Sequence, residues 1–178
     1  ASNVAVGYQA LVANTTASNN TAVGAGALDA NTTGSPNLAL GNGVLGANTT
    51  GTHNTVIAAQ GGAWQQTTAS YNVIVGFNCG YAITTGGFNT AMGSNTMGAV
   101  TTGDSNIVYG YGAAGALTTG SSNCMFGYNA GSIVTTGGSN VFYGNSLAAS
   151  ATGASHQIVI GNSFTSAGDN TVSIGKGS

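Results

Sequence analysis

Apolar residues along this chain come in short runs that end in glycine, and the runs return every 17 residues. Val4-Ala5-Val6-Gly7, Leu38-Ala39-Leu40-Gly41, Val73-Ile74-Val75-Gly76, Ile107-Val108-Tyr109-Gly110, Val141-Phe142-Tyr143-Gly144 and Ile158-Val159-Ile160-Gly161 show the pattern. An Asn opens each repeat, at Asn3, Asn20, Asn37, Asn54, Asn72, Asn89, Asn106, Asn123 and Asn140, and Gln157 takes that place one period later. Only the step from Asn54 to Asn72 is longer by one residue, and in that repeat Ala58 replaces the glycine. A fixed short period is the signature of a solenoid, each repeat forming one rung on the last. The apolar runs read as strands, and the second half of each repeat, Ala10-Leu11 or Ala27-Leu28 followed by Asn-Thr-Thr, reads as a second short strand and a turn. The expected fold is all-β, a parallel β-solenoid (β-roll) of about 17 residues per rung, with residues 1–178 as one repeat domain. Because the chain opens and closes on a rung, it reads as a segment of a longer fibre. Stacked at roughly 4.8 Å, the rungs predict a rod about 50 Å long.

Successive strand side chains point to opposite faces, so a strand apolar at every position is covered on both sides. One side is the inside of the coil. The file Ala5, Ala22, Ala39, Val56, Ile74, Ala91, Val108, Met125, Phe142 and Val159 reads as the outer one, needing a layer that so short a rung cannot supply. A second copy of the chain is the expected cover, which makes Val56, Ile74, Val108, Met125, Phe142 and Val159 the candidate oligomer interface. Tyr109, Phe126 and Tyr143 share the phase of Val6 and Val23 and read as core.

Composition narrows the function. One Lys or Arg and three acids leave almost no ionic surface, so solubility rests on Asn, Thr and Ser. A net charge of -2 without a basic patch gives nucleic-acid binding no electrostatic footing. No apolar run approaches a transmembrane length, so membrane insertion is not expected. Cys79 and Cys124 fall three rungs apart, about 14 Å at this rise, beyond disulfide reach.

The string from Asn20 to Gly34, Asn-Thr-Ala-Val-Gly-Ala-Gly-Ala-Leu-Asp-Ala-Asn-Thr-Thr-Gly, resembles the repeats of phage and prophage tail fibres. Those are similar in turn to the N-x-V-A-I-G rungs of trimeric autotransporter adhesin heads. The closing stretch from Asp169 to Ser178 resembles the fibre just ahead of a self-cleaving intramolecular chaperone. The resemblance implies a left-handed, homotrimeric β-roll, extracellular on a virion tail or cell surface, that attaches to a host. The chain departs from the adhesin pattern in its longer 17-residue spacing and at Ala58, and the chaperone itself is absent from the sequence.

Motifs for chemistry are weak. Gly41-Asn42-Gly43-Val44-Leu45-Gly46 and Gly110-Tyr111-Gly112-Ala113-Ala114-Gly115 match a dinucleotide-binding pattern, but both consist of repeat glycines in phase and lack the helix and distant acid that pattern requires. Glycoside hydrolysis generally needs two nearby carboxyls; the chain has no Glu, and Asp29, Asp104 and Asp169 lie in different repeats. His53 and His156 sit at one turn phase, six rungs apart, without metal-ligand spacing. No catalytic, cofactor-binding or metal residue is expected. Asn14, Asn19, Asn31 and Asn48 begin Asn-x-Thr triplets, but all except Asn19 simply follow the repeat.

The irregular fourth rung is the most distinctive site. It carries the only Trp, in Ala63-Trp64-Gln65-Gln66, and reads equally as a surface loop with a glycan platform or as a widened coil that Trp64 fills. Trp64, Gln65 and Gln66, with Tyr8, Phe77, Tyr111 and Tyr128 just after the repeat glycine, are the candidate contacts to a cell-surface glycan or protein receptor. A structural spacer without ligand, or a bacterial surface adhesin head, is the alternative. Ice binding through the Thr15, Thr32, Thr49, Thr84, Thr101, Thr118 and Thr135 column is a third reading.

Overall fold

The computed structural model describes residues 2–177. Eleven strands form one parallel sheet in chain order: β1 (Val4–Val6), β2 (Thr21–Val23), β3 (Asn37–Asn42), β4 (Asn54–Gln60), β5 (Val73–Val75), β6 (Thr90–Met92), β7 (Ile107–Tyr109), β8 (Cys124–Phe126), β9 (Val141–Asn145), β10 (Ile158–Asn162) and β11 (Val172–Lys176). The register follows the sequence period, Ala5 against Ala22, Ala22 against Ala39 and so on to Val159 against Ser173. This is the β-solenoid that the spacing predicts. The described residues contain no helix, and so none long and apolar enough to cross a membrane.

The rest of each rung is a chain of left-handed corners. Leu11, Leu28, Leu45 and Met97 have φ between 52° and 55°, and the residue before the repeat Asn turns the same way at Tyr71, Phe88, Ser105 and Ser122. The expected second strand is therefore absent. Inter-rung hydrogen bonds such as Leu28 N–H to Val44 O (3.0 Å) and Thr32 N–H to Thr49 O (3.0 Å) hold these corners in register. A non-glycine residue in this region costs on the order of 1 kcal/mol, and burying a leucine side chain offsets that.

The repeat Asn lies inside the coil and explains its own recurrence. Asn89 Nδ2 donates to Gly103 O (2.9 Å), and its Oδ1 accepts the backbone N–H of Asn106 (3.0 Å). The same pair of bonds runs along the rod from Asn20 to Asn123. A second amide file, Asn14, Asn31, Asn48 and Gln66, closes the Thr-Thr turn of the first four rungs, each donating to the backbone carbonyl three residues on. From the fifth rung the same position is apolar and buried, as Ile83, Val100, Leu117 and Val134.

With that Asn directed inward, strand alternation turns the next-but-one residue inward too. Val56, Ile74, Val108, Met125, Phe142 and Val159 are all 0% exposed, the centre of the coil's own core. They are thus not an outer interface, which corrects the expected facing of the sheet. The outward positions are the two residues that flank this buried one along each strand, including Val73, Ile107 and Ile158 before it, and Ile57, Met92 and Tyr143 after it. Tyr109, Phe126 and Tyr143 likewise lie on the outward face rather than in the core, with the Tyr109 and Phe126 rings stacked at 5.0 Å.

Candidate functional site

The irregular fourth rung follows from one missing glycine. At the end of the strand the backbone takes φ near 130°, as at Gly41 and Gly110, and a side chain there would collide with the next rung; a Cβ on Gly76 would stand 2.5 Å from Gly93 O. Ala58 does not adopt that bend. The strand runs on to Gln60 instead, and the added residue is taken up as a bulge between Ile57 and Gln60, opposite Leu40 to Asn42 of the neighbouring strand. Gly61 and Gly62 then turn the chain, and a Cβ on Gly62 would meet Ala58 Cβ at 2.6 Å.

That turn places Trp64 over Gly43 of the rung before. A Cβ on Gly43 would stand 2.7 Å from Trp64 Cε3, with Cζ3 closer still, so the indole rests on bare backbone. The ring remains 43% exposed and lines an open depression of about 390 Å³ together with Gln60, Gly61, Phe77, Asn78 and Tyr81. Trp64 and Tyr81 occupy one file in adjacent rungs, Gln65 N–H bonding to Tyr81 O at 3.2 Å just beside them. A second hollow of about 350 Å³, lined by Asn78, Tyr81, Asn95 and Gly98, carries the groove up one more rung. No charged side chain lines either hollow.

The other predicted contacts are dispersed. Tyr8 is exposed on the first rung, and Tyr111 and Tyr128 stack on each other at 5.6 Å on the seventh and eighth. Phe77 does join Trp64. Gln65 is exposed beside the groove, but Gln66 is fully buried as the last member of the inner amide file and is unavailable to a receptor. Sequence reading missed Gln60, Asn78 and Tyr81, although Tyr81 stands one period after Trp64. It also missed a corner stack in which His53, Tyr71 and Phe88 lie ring on ring at 4.7 and 4.9 Å.

The remaining polar groups serve the fold. Asp104 Oδ1 accepts Gly87 N–H (2.6 Å), and Asp169 Oδ1 accepts Ser155 N–H and Gln157 Nε2 (both 2.9 Å). His53 Nδ1 lies 3.1 Å from Thr52 Oγ1. Among the described residues no three His, Cys, Asp or Glu side chains gather at one place. Asn31 and Asn48 are buried, so in the folded chain neither can accept a glycan; Asn19 is exposed. Cys79 and Cys124 are both free, Cys79 in the core and Cys124 half-buried on the outward sheet face.

Comparison of the chain with protein-family models, with characterised proteins and with solved structures returned no match.

Proposed function

We propose that this chain is a non-enzymatic segment of a homotrimeric surface fibre of the phage-tail-fibre type, a left-handed β-roll that attaches a virion to its host cell. The observation that carries the reading is the outward face of the sheet. More than half of the large apolar residues exposed on the chain fall in its two outward files, among them Val73, Met92, Ile107, Tyr143, Ile158 and Ile174. The outward residue after the buried one is apolar in every rung, and the one before it in all but three, which carry Thr21, Thr55 and Thr90; over eleven rungs they make a strip on the order of 500 Å², at the upper end of what a lone soluble protein shows. A strip repeated rung by rung suits packing against copies of itself around an axis, where equal faces meet equal faces. The coil has its own core, so association covers the sheet rather than completing the fold.

The test is a pair of lysines on that face, Ile107→Lys with Ile160→Lys, followed by sedimentation. In the trimer these charges are desolvated and the variant dissociates while keeping its β-sheet spectrum. A variant that sediments like the wild type removes the sheet face from the account.

A second reading, ice binding, draws on the second Thr of each pair. Thr16, Thr33, Thr50, Thr68, Thr85, Thr102, Thr119 and Thr136 form an exposed file, whereas the first Thr spends its hydroxyl on the next rung, as Thr32 Oγ1 does on Thr49 O (3.1 Å). One file is not a plane. Thermal hysteresis in solution decides between the readings, and the fibre account predicts none.

A further inference from the structure

We infer that the groove over the fourth to sixth rungs, built by Trp64, Phe77, Tyr81, Gln60 and Asn78, binds an uncharged oligosaccharide. The inference rests on the attachment reading and names its ligand class and place. A sugar ring offers an apolar C–H face and a rim of hydroxyls, and a site for it needs an open aromatic face beside neutral donors and acceptors. This groove supplies both. Elsewhere on the rod exposed rings pair with one another, Tyr111 with Tyr128 and Tyr71 with His53 and Phe88, except for the lone Tyr8 on the first rung. Trp64, Phe77 and Tyr81 are not among the stacked pairs of the described residues, so no other ring covers the surface they expose.

The amides are close at hand. Gln60 and Asn78 line the hollow beside the rings, and Asn95 continues the row one rung on. With no charged group in the lining, nothing repays the desolvation of a carboxylate, sulfate or phosphate, so a neutral sugar is favoured over an acidic one. The two hollows share Asn78 and Tyr81 and step by one rung, about 4.8 Å, close to the length of one sugar ring. A ligand of two or more units therefore fits along the rod. An apolar peptide anchor fits less well, because the depression is open and half of its lining, Gln60, Gly61 and Asn78, carries no apolar side chain. The indole is already seated on Gly43, so little ordering is left for the ligand to impose.

Trp64 is the only Trp in the chain, so its emission reports on this groove alone. The experiment titrates the purified protein with neutral oligosaccharides of glucose, galactose, mannose and N-acetylglucosamine, with sialyllactose as the acidic probe. At least one neutral sugar should give a saturable change in emission by about 10 mM. Phe77→Ala and Tyr81→Ala, which remove exposed rings, should each weaken binding about five- to tenfold, whereas His156→Ala, on a distant turn, should leave it unchanged. No response from any neutral probe, a response untouched by both ring deletions, or tighter binding of sialyllactose would overturn the inference. Measuring the mass of the same samples separates this outcome from failure of the fibre reading: a trimer without a sugar response loses only the groove, and a monomer that responds loses only the fibre.

Discussion

Met125 and Gly131 divide one volume of core between them: a Cβ on Gly131 would stand 2.8 Å from Met125 Cε, with Sδ closer still. The same exchange recurs up the rod. Where the inward strand residue is Ala22, the corner carries Leu28, and where it is Ile74, the corner is Gly80, whose added Cβ would lie 3.2 Å from Ile74 Cδ1. Each rung thus fills a fixed cross-section with one large and one small residue. Met125→Ala alone should cost about 2–5 kcal/mol and Gly131→Leu alone about 1–3 kcal/mol, the one by a cavity and the other by overpacking. The double variant recreates the pairing of the second rung, where Leu28 already holds a φ of 52°, and should recover much of the loss. Urea denaturation of the three variants checks this, and simple additivity would contradict it.

The inner Asn file predicts a sharp cost at a central rung. Asn89→Ala strands the carbonyl of Gly103 and removes the acceptor of Asn106 N–H. Two buried backbone groups left unpaired should cost about 2–4 kcal/mol. Asn3, on the first rung and only partly buried, should cost less when changed the same way. Equal losses at the two sites, read from denaturation midpoints, would count against the ladder.

The thiol of Cys79 gives a pH dependence. Desolvation by burial, slightly countered by a hydrogen bond with the backbone of Val75, pushes it from 9.0 up to about 12. Between those values the unfolded chain releases a proton that the folded chain retains, so the contribution is intact below pH 9 and is lost as pH rises towards 12. The denaturation midpoint should fall over that window, and Cys79→Ala should fall less steeply in the same buffers. Parallel slopes would show that the thiol is not desolvated as described.

Gly43 should control the groove from beneath. Gly43→Ala places a methyl where the indole lies, at a position with φ of 63°. The expected outcome is a red shift in Trp64 emission as the ring is pushed into water, with little change in the β-sheet spectrum. Unchanged emission would mean that the indole is not seated on Gly43.

The sequence makes the period, the parallel register and the strand positions legible because Asn and Gly are each fixed by backbone geometry within every rung. The facing of the sheet is not obvious from hydrophobicity, since both strand faces are apolar. The deciding signal is polar. A buried Asn ladder fixes the inward direction, and Ala22 lies two residues beyond Asn20 on the same side. Leu28 and Met97 in left-handed corners run against residue preference, so the second half of the rung resembled a strand. Tyr81 was recoverable from Trp64 by counting one period. The bulge that opens the groove depends on how the chain absorbs Ala58, and only the three-dimensional structure gives that.

The central claim is that the outward apolar sheet face is covered by copies of the same chain, and the most direct measurement is the mass of the purified protein by light scattering without denaturant. The account predicts a particle of three times the 17.1 kDa of the chain, stable on dilution. A soluble, folded species of 17.1 kDa with its sheet face open to water would contradict it.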